Sequence, residues 1–556
     1  MNSDDRMPRM LLVGLLVLTL ARLLIAGFNE LSEDEAYYFM WSQRLDWSYY
    51  SKGPGIAVAM WLSTTLLGNV EIGVRLFSPL LALASSLVMW RLARSMFDAR
   101  VATWTIVLLN LTPIFNAGAL VMTIDPLSIF FWLTAMLFIW RALHRAARVG
   151  VYWPAAGLMM GLGFLCKYTN ALQLLSLVLL LVCSRRWRPL LLKPGPYVML
   201  AAFAVCLVPV LLWNAGNDWI TVTHLKERGS LDEGGVSFNP LEWLTFTAGH
   251  LFVYSPVIFV GLVWAVVLGT KRIGAGNGEA FLASFALPIL ALYFALAFKE
   301  AGELNWTAPG FIAAAPLLPL YWRASSLAGR WRIGLQNAGL LLGASLSLLV
   351  MNTDLARSAG LRWNYGSDPH VGKMKPADYL SNPGGVLENA GDFSARARGW
   401  NASSEHLARW IEAVAADVGE DVFLIANRYQ TAAALAFYLP ADLPIIHPSR
   451  HHPLIFAPES QAPEHQFSFW PSYAEVVDVD QVATEDGDTI RVELSPFRGK
   501  VALFVTDDLE RLSAPPAVTN AFRECIVVEE VRILRRGRFV RGLKIFACYD
   551  YLGSDL

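Results

Sequence analysis

Long apolar runs joined by short polar connections fill residues 10–351, and the pattern stops there. A helix that crosses the hydrocarbon core needs roughly 20 mostly apolar residues, and fewer in a tightly packed bundle. By that measure eleven spans are expected, at about 10–28, 71–93, 101–122, 126–143, 151–166, 169–184, 196–213, 246–269, 279–298, 307–322 and 333–351. From residue 352 onward, charged residues, Pro and Gly rise and no long apolar run remains. Segment 400–417 (WNASSEHLARWIEAVAAD) carries helical spacing, with Ser403 or Ser404 placed to cap it. Residues 430–437 read as a helix, and 422–426, 444–447 and 501–505 as short strands. The expected fold is an all-α polytopic membrane bundle of about eleven transmembrane helices over residues 1–351, with an extracytoplasmic α/β domain over 352–556.

The tail closes on ECIVVEEVRILRRGRFVRGLKIFACYD, which reads as a β-hairpin turning near Arg536-Gly537. A two-residue turn there sets Cys525 opposite Cys548, at a spacing that suits a disulfide. The alternative is two reduced, separately buried thiols. Cys166, Cys183 and Cys206 lie in apolar runs as packing residues, and none of the five cysteines has zinc-type spacing.

Composition narrows the class. Charged residues make up 16% and hydrophobic ones 55%, against roughly 25% charged in an ordinary soluble domain. A net charge of −1 supplies no basic field for nucleic acid. Twenty Trp suit aromatic belts at two interfaces. The first run follows Arg6 and Arg9, as in a signal peptide. It is longer than a usual signal core, no A-x-A site follows, and many spans come after it, so an anchor is expected.

Alternate connections are basic, which sets orientation. They hold Arg6/Arg9, Arg91/Arg94/Arg100, Arg141/Arg145/Arg148, Arg185/Arg186/Arg188/Lys193, Lys271/Arg272 and Arg323/Arg330/Arg332. With these in the cytoplasm, the N-terminus is inside, and an odd number of spans carries the tail outside. Asp34, Glu35, Lys52, Asp125, Lys167, His224, Lys226, Arg228, Glu300 and Glu303 then all fall on the outer side.

Each of these groups has an ordinary reading. Ser32 or Asp34 caps the helix that follows; Asp125, before Pro126, caps another. Lys167, the sole cation in a long apolar stretch, snorkels from a helix end. Lys52 lies in the turn YYSKGPG, and Lys226 and Arg228 lie in the loop segment THLKERG. Ionisable groups at a membrane boundary are nonetheless costly and tend to be functional. Together they offer carboxylates to take a proton from an acceptor hydroxyl, cations to hold a departing lipid phosphate, and apolar walls for its tail. That combination fits transfer of a sugar from a polyprenyl phosphate, which a single displacement would invert. No cofactor is required; a divalent metal joining Glu35, His224 and the donor phosphate is compatible with the pattern but not demanded by it. No P-loop, HExxH or G-x-S-x-G motif occurs.

The segments DEAYYFMWSQRLDWSYYSKGPGIAVAMW, GVRLFSPLLA, TIDPLSIFFW, GLGFLCKYTN, LLWNAGNDW and KEAGELNWTAPGF, in that order over residues 10–350, resemble the bacterial branch of the C-type glycosyltransferases. That branch includes dolichyl-phosphate-mannose protein mannosyltransferase-like proteins, lipid A aminoarabinose transferases and rhizobial lipopolysaccharide galacturonosyltransferases. The resemblance implies that Asp34 is the base with Glu35 beside it, that Asp125 is a second acidic site residue, and that Lys52 and Lys167 contact the lipid-phosphate donor. Many members carry an acidic-His-Pro-Pro segment where this chain has Ser51-Lys52-Gly53-Pro54; the Lys form is closer to the aminoarabinose transferases. The expected partners are a polyprenyl-phosphate sugar, a cell-envelope glycolipid or protein acceptor and the inner-membrane bilayer, with the active site and tail domain in the periplasm. A transporter or flippase for a lipid-linked or anionic substrate is the competing reading, although no internal repeat supports it. A non-catalytic scaffold that presents the outer domain is a third.

Overall fold

The computed structural model describes residues 6–144, 150–228, 238–325, 329–351, 397–460, 462–474, 478–483, 489–535 and 538–553. The chain forms two compact units: Met1–Phe28 with Leu45–Gly360, and Asn29–Arg44 with Leu361–Leu556.

The first unit is helical. Its helices are α1 (Arg9–Phe28), α3 (Gly55–Leu67), α4 (Glu71–Arg75), α5 (Phe77–Met96), α6 (Ala99–Asn110), α7 (Pro113–Gly118), α8 (Ile124–His144), α9 (Tyr152–Cys166), α10 (Leu172–Cys183), α11 (Pro194–Ala215), α12 (Ile220–Arg228), α13 (Pro240–Tyr254), α14 (Pro256–Thr270), α15 (Gly278–Leu296), α16 (Ala308–Ala314), α17 (Leu317–Ala324) and α18 (Gly329–Met351). The helix between α1 and α3, α2 (Glu33–Ser42), belongs to the second unit. All eleven expected spans fall on helix, but among the described residues only six helices are long and apolar enough to cross a membrane alone.

Three expected spans are interrupted, each at a proline that cannot donate a backbone hydrogen bond. The 101–122 run stops at Asn110 and restarts at Pro113. The 246–269 run breaks at Ser255-Pro256, where Ser255 takes φ +67° and α13 and α14 meet at 112°. The 307–322 run is divided around Pro316. Helix α3, with thirteen residues, was not among the expected spans.

A buried cation ties α1 into this bundle. Arg22 donates to Asn110 Oδ1 (3.1 Å) and Asn116 Oδ1 (2.6 Å), and Asn116 Nδ2 donates to Ser347 Oγ (3.1 Å) on α18. Unpaired, such a charge would be expelled from an apolar interior; here two amides solvate it.

The second unit holds a four-stranded sheet in the order β1 (Phe423–Ala426), β4 (Ala502–Thr506), β6 (Arg538–Tyr551), β5 (Phe522–Arg535), with β1 and β4 parallel and the remaining pairs antiparallel. A separate hairpin joins β2 (Asp478–Ala483) to β3 (Thr489–Leu494). Helices α19 (Trp400–Val418) and α20 (Tyr429–Tyr438) lie where helical spacing predicted them. The cap does not. Gly399, at φ +81°, precedes α19, and Ser403 sits inside the first turn, donating to the Gly399 carbonyl at 2.7 Å. Residues 444–447 form no strand; Ile445 makes a single bridge to Val422. The closing hairpin pairs Arg535 with Arg538, around a turn outside the described residues, and Cys525 with Cys548, which are disulfide-bonded.

Helix α2 packs by its aromatic face. Phe39 meets Phe437 edge-on at 4.9 Å, Tyr37 lies 4.4 Å from Tyr429, and the Leu31 N–H donates to the Tyr438 hydroxyl at 2.7 Å. Arg541 stacks 3.4 Å over the Trp400 ring and lies 3.5 Å from Glu33.

Candidate active site

In the first unit, three polar side chains from distant segments meet. Lys167 Nζ donates to Asp125 Oδ1 at 2.7 Å, and Asn305 Nδ2 donates to Asp125 Oδ2 at 2.6 Å. The ion pair is nearly sealed, with side chains 7% (Lys167) and 14% (Asp125) exposed. Asp125 is not the cap of its helix. Helix α8 begins one residue earlier, and the Thr123 hydroxyl accepts from the Asp125 N–H at 3.3 Å. The carboxylate is thereby left for Lys167 and Asn305. Lys167 ends α9 in an extended conformation. A carboxylate in a helix's first turn and a cation at another's end each complement the local helix dipole.

The lysine is placed by Asn170, whose amide exchanges hydrogen bonds with Ser128 one turn along α8: Ser128 Oγ to Asn170 Oδ1 at 2.5 Å and Asn170 Nδ2 to the Ser128 carbonyl at 3.1 Å. Gly163 makes room for that amide, since a Cβ there would lie 2.0 Å from Asn170 Nδ2.

The Lys52 turn presses against the same segment. A Cβ on Gly53 would sit 2.4 Å from the Leu165 carbonyl oxygen, and one on Gly55 2.5 Å from Cys166 Sγ. Only glycine permits this approach. The turn is closed by the Tyr49 N–H and the Ser48 hydroxyl, which donate to the Lys52 carbonyl at 3.0 and 3.3 Å, while Ser48 Oγ lies 3.3 Å from the Tyr168 hydroxyl. Lys52 and Lys167 therefore come from packed neighbouring segments. Helix α12 adjoins the turn: Thr221 donates to the Tyr49 carbonyl at 3.4 Å, and the His224 ring lies 4.6 Å from Tyr50. Lys226 is exposed on this helix, which continues through Arg228 where a loop was expected. Glu300 and Glu303 are exposed, the latter just before the turn that carries Asn305.

A cavity of about 240 Å³ borders the cluster. Its walls are apolar or small, among them Ala82, Phe115, Gly118, Ile129 and Ile312, with Asp125 and Asn305 among the polar groups lining it.

In the second unit, Ser32 caps α2 and Glu35 completes a capping box. Glu35 Oε2 accepts from the Ser32 N–H and hydroxyl, both at 2.9 Å, and Glu35 is fully buried. Asp34, in the same helical turn, is exposed. Of the two acids, Asp34 is thus the one presented outward. Glu35 does not fit the metal-ligand role, because its carboxylate is buried and already serves the cap. Among the described residues no three His, Cys, Asp or Glu side chains gather to hold a metal ion.

Asn305 was missed from the sequence. An uncharged amide does not stand out in a polar connection, although NWTAP directly precedes an apolar run.

Residues 51–213 match the family model described as dolichyl-phosphate-mannose-protein mannosyltransferase. The chain is 30% identical over 324 residues to the lipid A galacturonosyltransferase RgtD of Rhizobium johnstonii, covering 57% of this chain and 67% of that protein. Its fold is similar to that of ArnT from Cupriavidus metallidurans, solved bound to undecaprenyl phosphate, with a TM-score of 0.57 at 16% identity over 96% of this chain and 97% of ArnT. The apo form of ArnT gives 0.55 at 17% identity, covering 96% and 98%.

Proposed function

We propose, from the premise that this chain belongs to the C-type membrane glycosyltransferases together with the lipid A galacturonosyltransferase RgtD, that it moves a sugar from a polyprenyl phosphate to a cell-envelope acceptor at the periplasmic face. The observation that carries the reading is the Lys167–Asp125–Asn305 cluster bordering an apolar cavity, with the Lys52 turn packed beside Lys167. A lipid phosphate needs positive charge beside apolar walls, and here Lys167 stands behind Asp125, whose side chain lines the cavity.

In the reaction, the acceptor hydroxyl oxygen attacks the anomeric carbon as Asp34 takes its proton. The bond from that carbon to the phosphate oxygen breaks, and the electron pair leaves on the polyprenyl phosphate. Lys52 and Lys167 hold the departing anion, and Lys226 and Arg228 on α12 add positive charge. Asp125 fixes the direction of the Lys167 side chain, with Asn305 steadying the carboxylate. One displacement inverts the anomeric configuration. The acceptor is a lipopolysaccharide component, another envelope lipid or a protein.

Asp34→Asn tests the assignment in proteoliposomes supplied with a polyprenyl-phosphate sugar. Transfer should fall by about 10²- to 10⁴-fold, the usual contribution of a general base, while binding of polyprenyl phosphate persists. Near-normal transfer by the variant refutes Asp34 as the base.

A further inference from the structure

The second unit contains a cavity of its own, of about 430 Å³, formed by the connection that follows residue 452. That volume lies within the range of small-molecule sites. Its lining is mostly polar: Glu459, Ser460, His465, Ser468 and Ser472 supply hydrogen-bonding groups, and Phe467 and Trp470 supply aromatic surface. Hydroxyls, an imidazole and ring carbons in one wall are the groups that recognise a sugar, whose edges are hydroxylated and whose faces carry C–H bonds.

The charge of the wall narrows the ligand. It holds one carboxylate, Glu459, and among the described lining residues no Lys or Arg. Burial pushes the His465 imidazole down to about 4, so it is neutral near pH 7. Its Nδ1 is shut off from solvent. Among the described lining residues a phosphate or a uronate finds no cationic side chain, the Arg44 guanidinium being stacked on the Trp470 ring, and a neutral or amino sugar needs none.

The wall is also built before any ligand arrives. Pro453, Pro458, Pro463 and Pro471 each fix a backbone torsion, which lowers the ordering cost of binding. The segment bearing Asp34 clamps it: the Gln466 N–H donates to the Tyr37 hydroxyl at 2.8 Å, and Arg44 donates to the His451 carbonyl at 3.1 Å and to that of His452. The Arg44 guanidinium lies 4.8 Å over the Trp470 ring.

We infer that this cavity is a carbohydrate-binding subsite that takes an uncharged or amino-sugar ring of the acceptor. Only the identification of the occupant as acceptor rests on the transferase reading; binding itself needs neither donor nor turnover.

Saturation-transfer NMR on the full chain, in lauryl dimethylamine oxide so that no detergent sugar competes, tests it. The probes are methyl glucoside, glucosamine and galacturonate. The first two should show saturable transfer at millimolar concentration, and galacturonate at least fivefold less. Ser468→Trp, a change at an exposed position that fills the cavity, should abolish the signal, and His465→Ala should weaken it at least threefold. A thermal unfolding midpoint unchanged from the wild type checks that both variants are folded. Asp34→Asn should bind the sugars as before, which separates this site from the reaction. Absent binding by the wild type, equal binding of galacturonate, or full binding by Ser468→Trp overturns the inference.

Discussion

Lys167 and Asp125 stand 42 positions apart and meet almost out of reach of water. Removing one partner of such a pair leaves an uncompensated buried charge, at a cost of about 3–5 kcal/mol, whereas replacing both is often close to neutral. Lys167→Met and Asp125→Leu should therefore each lower the thermal unfolding midpoint of the detergent-solubilised protein, and the double variant should recover much of the loss. Strict additivity would mean that the two side chains are not coupled. Isolated ionisable groups at the edges of apolar runs were legible in the chain, because any such group is conspicuous there; Asp125 and Lys167 were singled out that way, and Lys52 from its turn-rich segment. Their neighbours were less so. Asn305 carries no charge to mark it, and the burial of Glu35 depends on Ser32 starting a helix at that residue and no other.

At the level of elements, the bundle's irregularities position its chemistry. Helix α9 ends at Cys166 so that Lys167 can turn toward α8, and the short turn after it brings Asn170 onto Ser128. Gly163 is the position where this arrangement is most exposed to a small change. Gly163→Ala sets a methyl 2.0 Å from Asn170 Nδ2 and should cut transfer more than tenfold, as the Lys167 segment shifts. Gly334→Ala on α18, where an added methyl meets nothing within 4 Å, should leave transfer unchanged. Equal rates for the two variants would detach the α8–α9 junction from the reaction. Apolar run length located these helices well. The breaks at Pro113, Ser255-Pro256 and Pro316 were harder to foresee, since a proline within an apolar run can also be carried by a continuous helix: α11 contains Pro209 and α15 contains Pro288.

Over the whole molecule, the feature least visible in the chain is the allegiance of residues 29–44. These residues follow the first membrane helix, yet they group with the C-terminal unit, because the aromatic run after Asp34 packs on α20 and on the Gln466–Phe467 segment. That contact links positions more than 400 apart and leaves no trace in local periodicity. By contrast, counting back from a two-residue turn did pair Cys525 with Cys548, although two offsetting irregularities, between Ile533 and Leu534 and between Val527 and Glu529, shift the register by one residue between them. The central claim is transfer of a sugar from a lipid phosphate to an envelope acceptor. Mass spectrometry of envelope lipids and proteins, from cells with the wild-type chain and cells with Asp34→Asn, tests it most directly. The account predicts that one glycoform in the variant becomes lighter by a single sugar residue while the matching polyprenyl-phosphate sugar accumulates. Identical glycoforms and donor levels in the two strains would contradict it.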